Sequence, residues 1–218
     1  MSKVMTEETG STKKKLVTRL LIGGVFGYAF AAGAVELVGA GLLDAMGPSR
    51  VALATVGLVY ALMAVFVGFG VAAPRAGAAL LNVGDAEELR EERGTMLRSV
   101  VTMGGMGLGL VLLALARGTD FAAGPIPASV AMVAVLALII GYLVASWRWD
   151  ADELNRQLAL ESCFWAFGLS WAGLTLWASA DFLGFGPALT PIDVVATLSA
   201  MMLVGAFIAI GRRGMMVR

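Results

Sequence analysis

The sequence predicts an all-α integral membrane protein, a single membrane domain of six transmembrane helices, and three observations lead there. Of its 218 residues, 59% are hydrophobic and only 15% charged, whereas an average soluble domain has about a quarter of its residues charged. The mean hydropathy is +0.84. The apolar residues also fall in six runs of the roughly 20-residue length a helix needs to cross the hydrocarbon core. These are Leu16 to Leu43, Val51 to Ala72, Leu97 to Ala116, Ala128 to Trp147, Leu158 to Ala180 and Ile192 to Gly211.

The first run follows a basic tail, residues 1–15. Its start, "KKKLVTRLLIGGVFGYAFAAGA", has the basic stretch, apolar run and small residues of a signal peptide. The apolar run nevertheless continues past the small residues to Leu43, which favours an uncleaved first span. The breaks that follow carry turn and boundary residues: "DAMGPSR", "APRAGAALLNVGDAEELREER", "RGTDFAAGPIP", "WRWDADELNRQ" and "DFLGFGPALTP". The second of these, residues 73–96, is long enough for a short amphipathic helix.

Two phrases recur. "DAEELREER" from Asp85 and "DADELNRQ" from Asp150 each precede an odd-numbered run. Asp85 and Asp150 suit a helix N-cap, with Glu88 and Glu153 three positions on, where a capping-box carboxylate reaches back. The second recurrence is "DAMGP" from Asp44, "DFAAGP" from Asp120 and "DFLGFGP" from Asp181, each between an odd and an even run. Gly and Pro supply the turn and Asp can accept from nearby amides, so the chain reads as three repeated helical hairpins in series; turn chemistry alone would also produce such a likeness.

Six spans put both termini on one side. Lys3, Lys13, Lys14, Lys15 and Arg19 precede the first run, and Arg212, Arg213 and Arg218 follow the last. Arg75, Arg90, Arg93 and Arg98 lie around the second connection, and Arg148 and Arg156 in the fourth. Only Arg50 and Arg117 fall on the opposite face, so the positive-inside rule places both termini in the cytoplasm.

From Asp152 to Arg213 the sequence reads "DELNRQLALESCFWAFG", then "GFGPALTP", then "GRRG". A D-E-x-x-R-x-x-x-L-E phrase opening a helix, a Gly/Pro turn, a second helix and a closing basic cluster resemble a pattern in small, largely uncharacterised bacterial inner-membrane proteins. Asp152, Glu153, Arg156, Leu160, Glu161 and the pair Arg212 and Arg213 carry the match, over under a third of the chain. The resemblance implies a bacterial inner membrane and carries no activity with it.

Candidate sites are few. Glu36 stands inside "AAGAVELVGAGLL"; a carboxylate in hydrocarbon is costly and usually faces the bundle interior or a cavity. It fits either a proton or cation ligand or one buried hydrogen bond to a neighbouring helix. Glu161 is a second candidate ion or proton site, although Gln157 and Arg156, four and five residues earlier, offer partners on its own helix. Asp193, after Pro191, is explained by helix capping. The segment with Glu87, Glu88, Arg90 and Arg93 is the candidate partner contact. Gly23 and Gly27, Gly105 and Gly109, and Gly205 with Ala209 have the four-residue spacing that lets membrane helices approach. Met103, Met106, Met201 and Met202 fit adaptable packing better than metal binding. Trp147 and Trp149 suit the interfacial belt, while Trp171 and Trp177 suit lipid, a partner helix or a pigment equally.

The chain has no histidine and one cysteine, Cys163. Bis-histidine haem, histidine-based zinc and Ser-His or Cys-His nucleophiles are thereby excluded. No lysine follows Lys15, which excludes a retinal Schiff base in the bundle. No cofactor, metal or nucleic acid is predicted. Packing signals outnumber chemical ones, and all six prolines lie in connections. The expectation is a non-catalytic interaction protein, an accessory or assembly subunit whose partners are the bilayer and another membrane protein or a second copy. The alternative is a small proton- or cation-coupled transporter centred on Glu36.

Overall fold

The computed structural model describes residues 42–73, 93–118, 121–147 and 152–213. They form five helices: α1 Leu42–Ala72, α2 Arg93–Ala114, α3 Ala128–Trp147, α4 Glu153–Phe182 and α5 Pro191–Arg212. The one extended pairing among them is an isolated parallel bridge between Ala116 and Ile126. Among the described residues, four stretches are long and apolar enough to cross a membrane: Ala45–Ala72 of α1, and all of α2, α3 and α5. By length and composition the chain is therefore a multi-pass helical membrane protein.

The count differs from the six expected. The first run lies outside the described residues except for Leu42 and Leu43, which open α1. The fifth, Leu158 to Ala180, is helical within α4 but is not among the four, because tryptophan, serine and threonine dilute its leucines and phenylalanines.

Several boundaries also moved. "DAMGPSR" was expected as a connection, but α1 continues through it with a kink at Gly47, whose φ of 75° and ψ of 164° are non-helical. Glycine takes that conformation without a Cβ clash, and Pro48 then opens the next turn, where a missing N–H costs nothing. The described part of helix α2, Arg93–Ala114, contains most of the run expected from Leu97 and stops two residues short of Ala116, while the expected cap Asp85 lies outside the described residues. The cap of α4 is Asp152, not Asp150: its backbone is extended and its side chain accepts from the Asn155 amide at 2.8 Å. Glu153 is then a first-turn residue, and it accepts from Gln157 at 2.9 Å instead of reaching back to a cap.

The three Asp-to-Gly-Pro turns fold in three different ways. The first is the kink just described. The second closes through the Ala116–Ile126 bridge, with the Arg117 amide donating to the Ile126 carbonyl at 2.8 Å. In the third, the Phe185 amide donates to Ala180 and the Gly184 amide to Asp181, with Gly184 at φ 75°, the pattern of a Schellman cap. Their similarity is turn chemistry, and the helices joined by them do not form a repeated hairpin.

Thr190 caps α5. Its hydroxyl accepts from the Asp193 amide at 3.3 Å, and Asp193 accepts from the Thr190 amide at 2.9 Å and hydroxyl at 2.7 Å. This reciprocal box satisfies donors that the helix start leaves without partners. Thr190→Ala is expected to lower stability by about 1 kcal/mol, read as the unfolding midpoint in detergent; an unchanged midpoint would show that the cap is dispensable.

The chain divides into two compact units, Met1–Asp44 with Tyr60–Gly104, and Ala45–Val59 with Gly105–Arg218. In the first, α1 meets α2 where a β-carbon on Gly104 would lie 3.5 Å from Ala64 and one on Gly68 would lie 3.4 Å from Val100. In the second, Gly57 of α1 approaches the backbone of α2, so that an added β-carbon would sit 2.9 Å from the Gly107 oxygen. Leu138 of α3 fills the notch at Gly105 and Gly109. Helix α5 lies antiparallel on α4, with Gly205 so close that a β-carbon there would be 2.5 Å from the Ser162 oxygen and 2.8 Å from the Ala166 nitrogen. Ala209, one turn on, is fully buried. Lipid is as apolar as leucine, so helices in a membrane associate through such close contacts and through polar pairs.

Candidate functional site

Two polar clusters stand out in the second unit. The first begins at the start of the straight part of α1. Arg50 is only 4% exposed. Its Nη1 donates to the carbonyls of Ala114 at 3.0 Å and Ala116 at 2.8 Å, and its guanidinium lies 5.3 Å from the centroid of the buried Phe121 ring. A helix leaves its last carbonyls without partners and carries partial negative charge there. A buried cation at the end of α2 answers both, and the aromatic face adds a cation–π contact.

Ser49, the preceding residue, places its side chain near Asp193, the buried carboxylate of the α5 capping box. Adjacent positions on α1 thus hold the end of α2 and the start of α5. The loop between α2 and α3 is tied further by Arg117, whose Nε donates to the Gly124 carbonyl at 2.7 Å. Gly124 has no room for a side chain, since a β-carbon would lie 2.8 Å from the Leu115 oxygen. The two arginines that stood apart from the other basic residues in the charge count are the two that organise this loop.

The second cluster joins the start of α4 to the end of α5. Glu161 pairs through Oε1 with the Nε of Arg212 at 3.2 Å and through Oε2 with the Nε of Arg213 at 3.1 Å. The Arg212 guanidinium lies 5.5 Å from the centroid of the Trp165 ring, one turn along α4. Trp165 in turn meets Phe164 edge-on, with 5.8 Å between centroids. Partners for Glu161 were expected on its own helix, but Gln157 is taken by Glu153 and the carboxylate looks across to α5. Ion pairs this exposed contribute roughly 0–1 kcal/mol, so they orient the helix ends more than they stabilise them.

Glu36, Glu87, Glu88 and Arg90 lie outside the described residues. Arg93 is the exposed first residue of α2. Among the described residues, no three His, Cys, Asp or Glu side chains gather as metal ligands. Every buried side-chain nitrogen and oxygen described has a hydrogen-bond partner. Among the described residues, shallow apolar grooves run along Thr175, Ala178, Ser179 and Phe182 of α4 to its cap Leu183, and along Leu62, Met63, Phe66 and Val67 of α1. Each is the face of a single helix and contains no ionisable group.

Sequence reasoning named Arg50 only as an exception in the charge count, and it passed over Thr190 and Ser49. For Thr190 a signal existed, since "TPID" has threonine, a first-turn proline and an acid at the third position. For Arg50 none did, because its acceptors lie 64 and 66 residues away.

Among the described residues, α3 and α4 expose many large apolar side chains. Only Ala131 of α3 is buried, and α4 exposes Leu160, Phe164, Phe167, Trp171, Leu176 and Phe182, with Phe167 at 75% and Trp171 at 65%. Cys163 is exposed on α4 as well. No family model, curated protein or solved structure matches the chain.

Proposed function

We propose that this chain is a non-catalytic interaction protein, an accessory or assembly subunit of a larger complex in a bacterial cytoplasmic membrane, with six spans and both termini in the cytoplasm. The observation that carries this reading is α4. It is 30 residues long, yet it is not one of the helices apolar enough to cross a membrane by itself, and it exposes one face bearing Phe164, Phe167, Trp171, Thr175 and Ser179. A helix of mixed polarity with rigid aromatic anchors is better covered by protein than by acyl chains, because hydroxyls in hydrocarbon lack partners and aromatic side chains dominate interface energetics.

The polar groups of the two clusters support the same reading from the other side. Arg50, Asp193 and Glu161 are engaged in holding this chain's own helices. That leaves recognition to shape and apolar area. The six-span topology is completed in this reading by the run Leu16 to Leu43 before α1 and by α4 crossing in company.

Purification of the tagged chain at native level in mild detergent is expected to retain one partner in fixed stoichiometry. The double substitution Phe167→Leu and Trp171→Leu, which keeps the face apolar but removes its anchors, is expected to release that partner with helical content unchanged. Recovery of the chain alone would sink the subunit reading and direct attention to solute flux and Glu36.

A further inference from the structure

The arginine pair at the end of α5 is not used up by its ion pairs. Glu161 offers one carboxylate to two guanidinium groups, which meet it through Nε at 3.2 Å and 3.1 Å. One positive charge is therefore in surplus, and the terminal amino groups of both arginines have no acceptor among the described residues. The Arg212 side chain is 63% exposed and that of Arg213 28%. Arg212 is also held over the Trp165 ring, which fixes its guanidinium near an aromatic of the kind that collects at membrane interfaces.

We propose that Arg212 and Arg213, with Trp165 behind Arg212, bind the phosphate of an anionic glycerophospholipid. Arginine presents a planar fork that matches phosphate oxygens in pairs, and it is less tightly hydrated than lysine. Glu161 takes the inner Nε edges of both side chains, so the outer edges point away from the carboxylate. Basic pockets between membrane helices on the cytoplasmic side recognise anionic headgroups through this chemistry, and the charge distribution of the sequence assigns this end to that side. The site depends on the chain lying in a membrane and not on its having a protein partner.

Native mass spectrometry of the full chain in mild detergent tests the assignment, with graded phosphatidylglycerol, phosphatidylethanolamine of the same acyl chains, and inorganic phosphate as competitor. The chain is expected to retain phosphatidylglycerol over phosphatidylethanolamine. Arg212→Gln with Arg213→Gln is expected to reduce that preference about fivefold for each arginine lost. Glu161→Gln leaves both arginines and removes their competing anion, so the preference is expected to rise. Were the cluster only a latch between α4 and α5, both substitutions would leave lipid preference unchanged while lowering thermal stability together. Equal retention of the two lipids, a preference that survives in the double variant, or phosphatidylglycerol displaced by millimolar inorganic phosphate would overturn the lipid assignment.

Discussion

Gly205→Leu is expected to prevent α5 from seating on α4 and to eliminate recovery of folded protein, and Gly205→Ala alone is expected to cost about 1–3 kcal/mol. The reason is geometric. A β-carbon at this position would meet the Ser162 oxygen at 2.5 Å and the Ala166 nitrogen at 2.8 Å. Both are backbone atoms of a helix, which cannot step aside as the tip of a side chain can. The two helices would have to separate, and with little hydrophobic force between helices in lipid the lost contact has no substitute. Tryptophan fluorescence during thermal unfolding in detergent reads the effect, since Trp165 lies beside the contact one residue from Ala166. Gly168→Ala on the same helix is the control: nothing lies within 4 Å of a β-carbon there, so replacing glycine inside a helix should be neutral or raise stability by up to about 1 kcal/mol. Equal midpoints for Gly205→Ala and the parent would remove the close approach from the account of how α4 and α5 associate.

Arg50→Met is expected to cost on the order of 3 kcal/mol, because the carbonyls of Ala114 and Ala116 lose their donor in a buried place, at roughly 1–3 kcal/mol for each group left unsatisfied. The aliphatic volume is nearly preserved by methionine, so the loss reports hydrogen bonds and charge rather than a cavity. Arg50→Lys is expected to recover only part, since an ammonium is a point donor and loses the planar contact with Phe121. Hydrogen exchange should locate the effect at the amides of Arg117 and Ile126, which close the loop that Arg50 anchors. Faster exchange throughout α4 and α5 with no change in that loop would contradict the assignment.

Hydrophobic length made most of the helices legible. The run Ala128 to Trp147 coincides with α3, and Ile192 to Gly211 lies one residue inside α5 at each end, because an apolar run bounded by proline and arginine leaves little choice of boundary. Gly105, Gly109, Gly205 and Ala209 were readable as packing positions from their spacing alone, and they lie at helix contacts. Gly57 was missed although Ala61, four residues on, gives it the same small-residue spacing as Gly205 with Ala209. The cap of α4 was misplaced by two residues because "DADE" offers two aspartates that local chemistry ranks equally, and only the path of the chain into the helix selects Asp152.

Sequence by itself determined that this protein lives in a membrane, that its helices are the apolar runs, and that histidine-dependent chemistry is closed to it; these follow from composition and from the length of hydrocarbon a helix must cross. Tertiary structure decided where the charges go. Arg50 at the end of α2, Ser49 on Asp193, and Glu161 between Arg212 and Arg213 join residues dozens to more than a hundred positions apart. The physical reason is that a polar group in an apolar medium must find a partner, but which partner depends on what folding brings within reach, and periodicity along one helix contains no record of that.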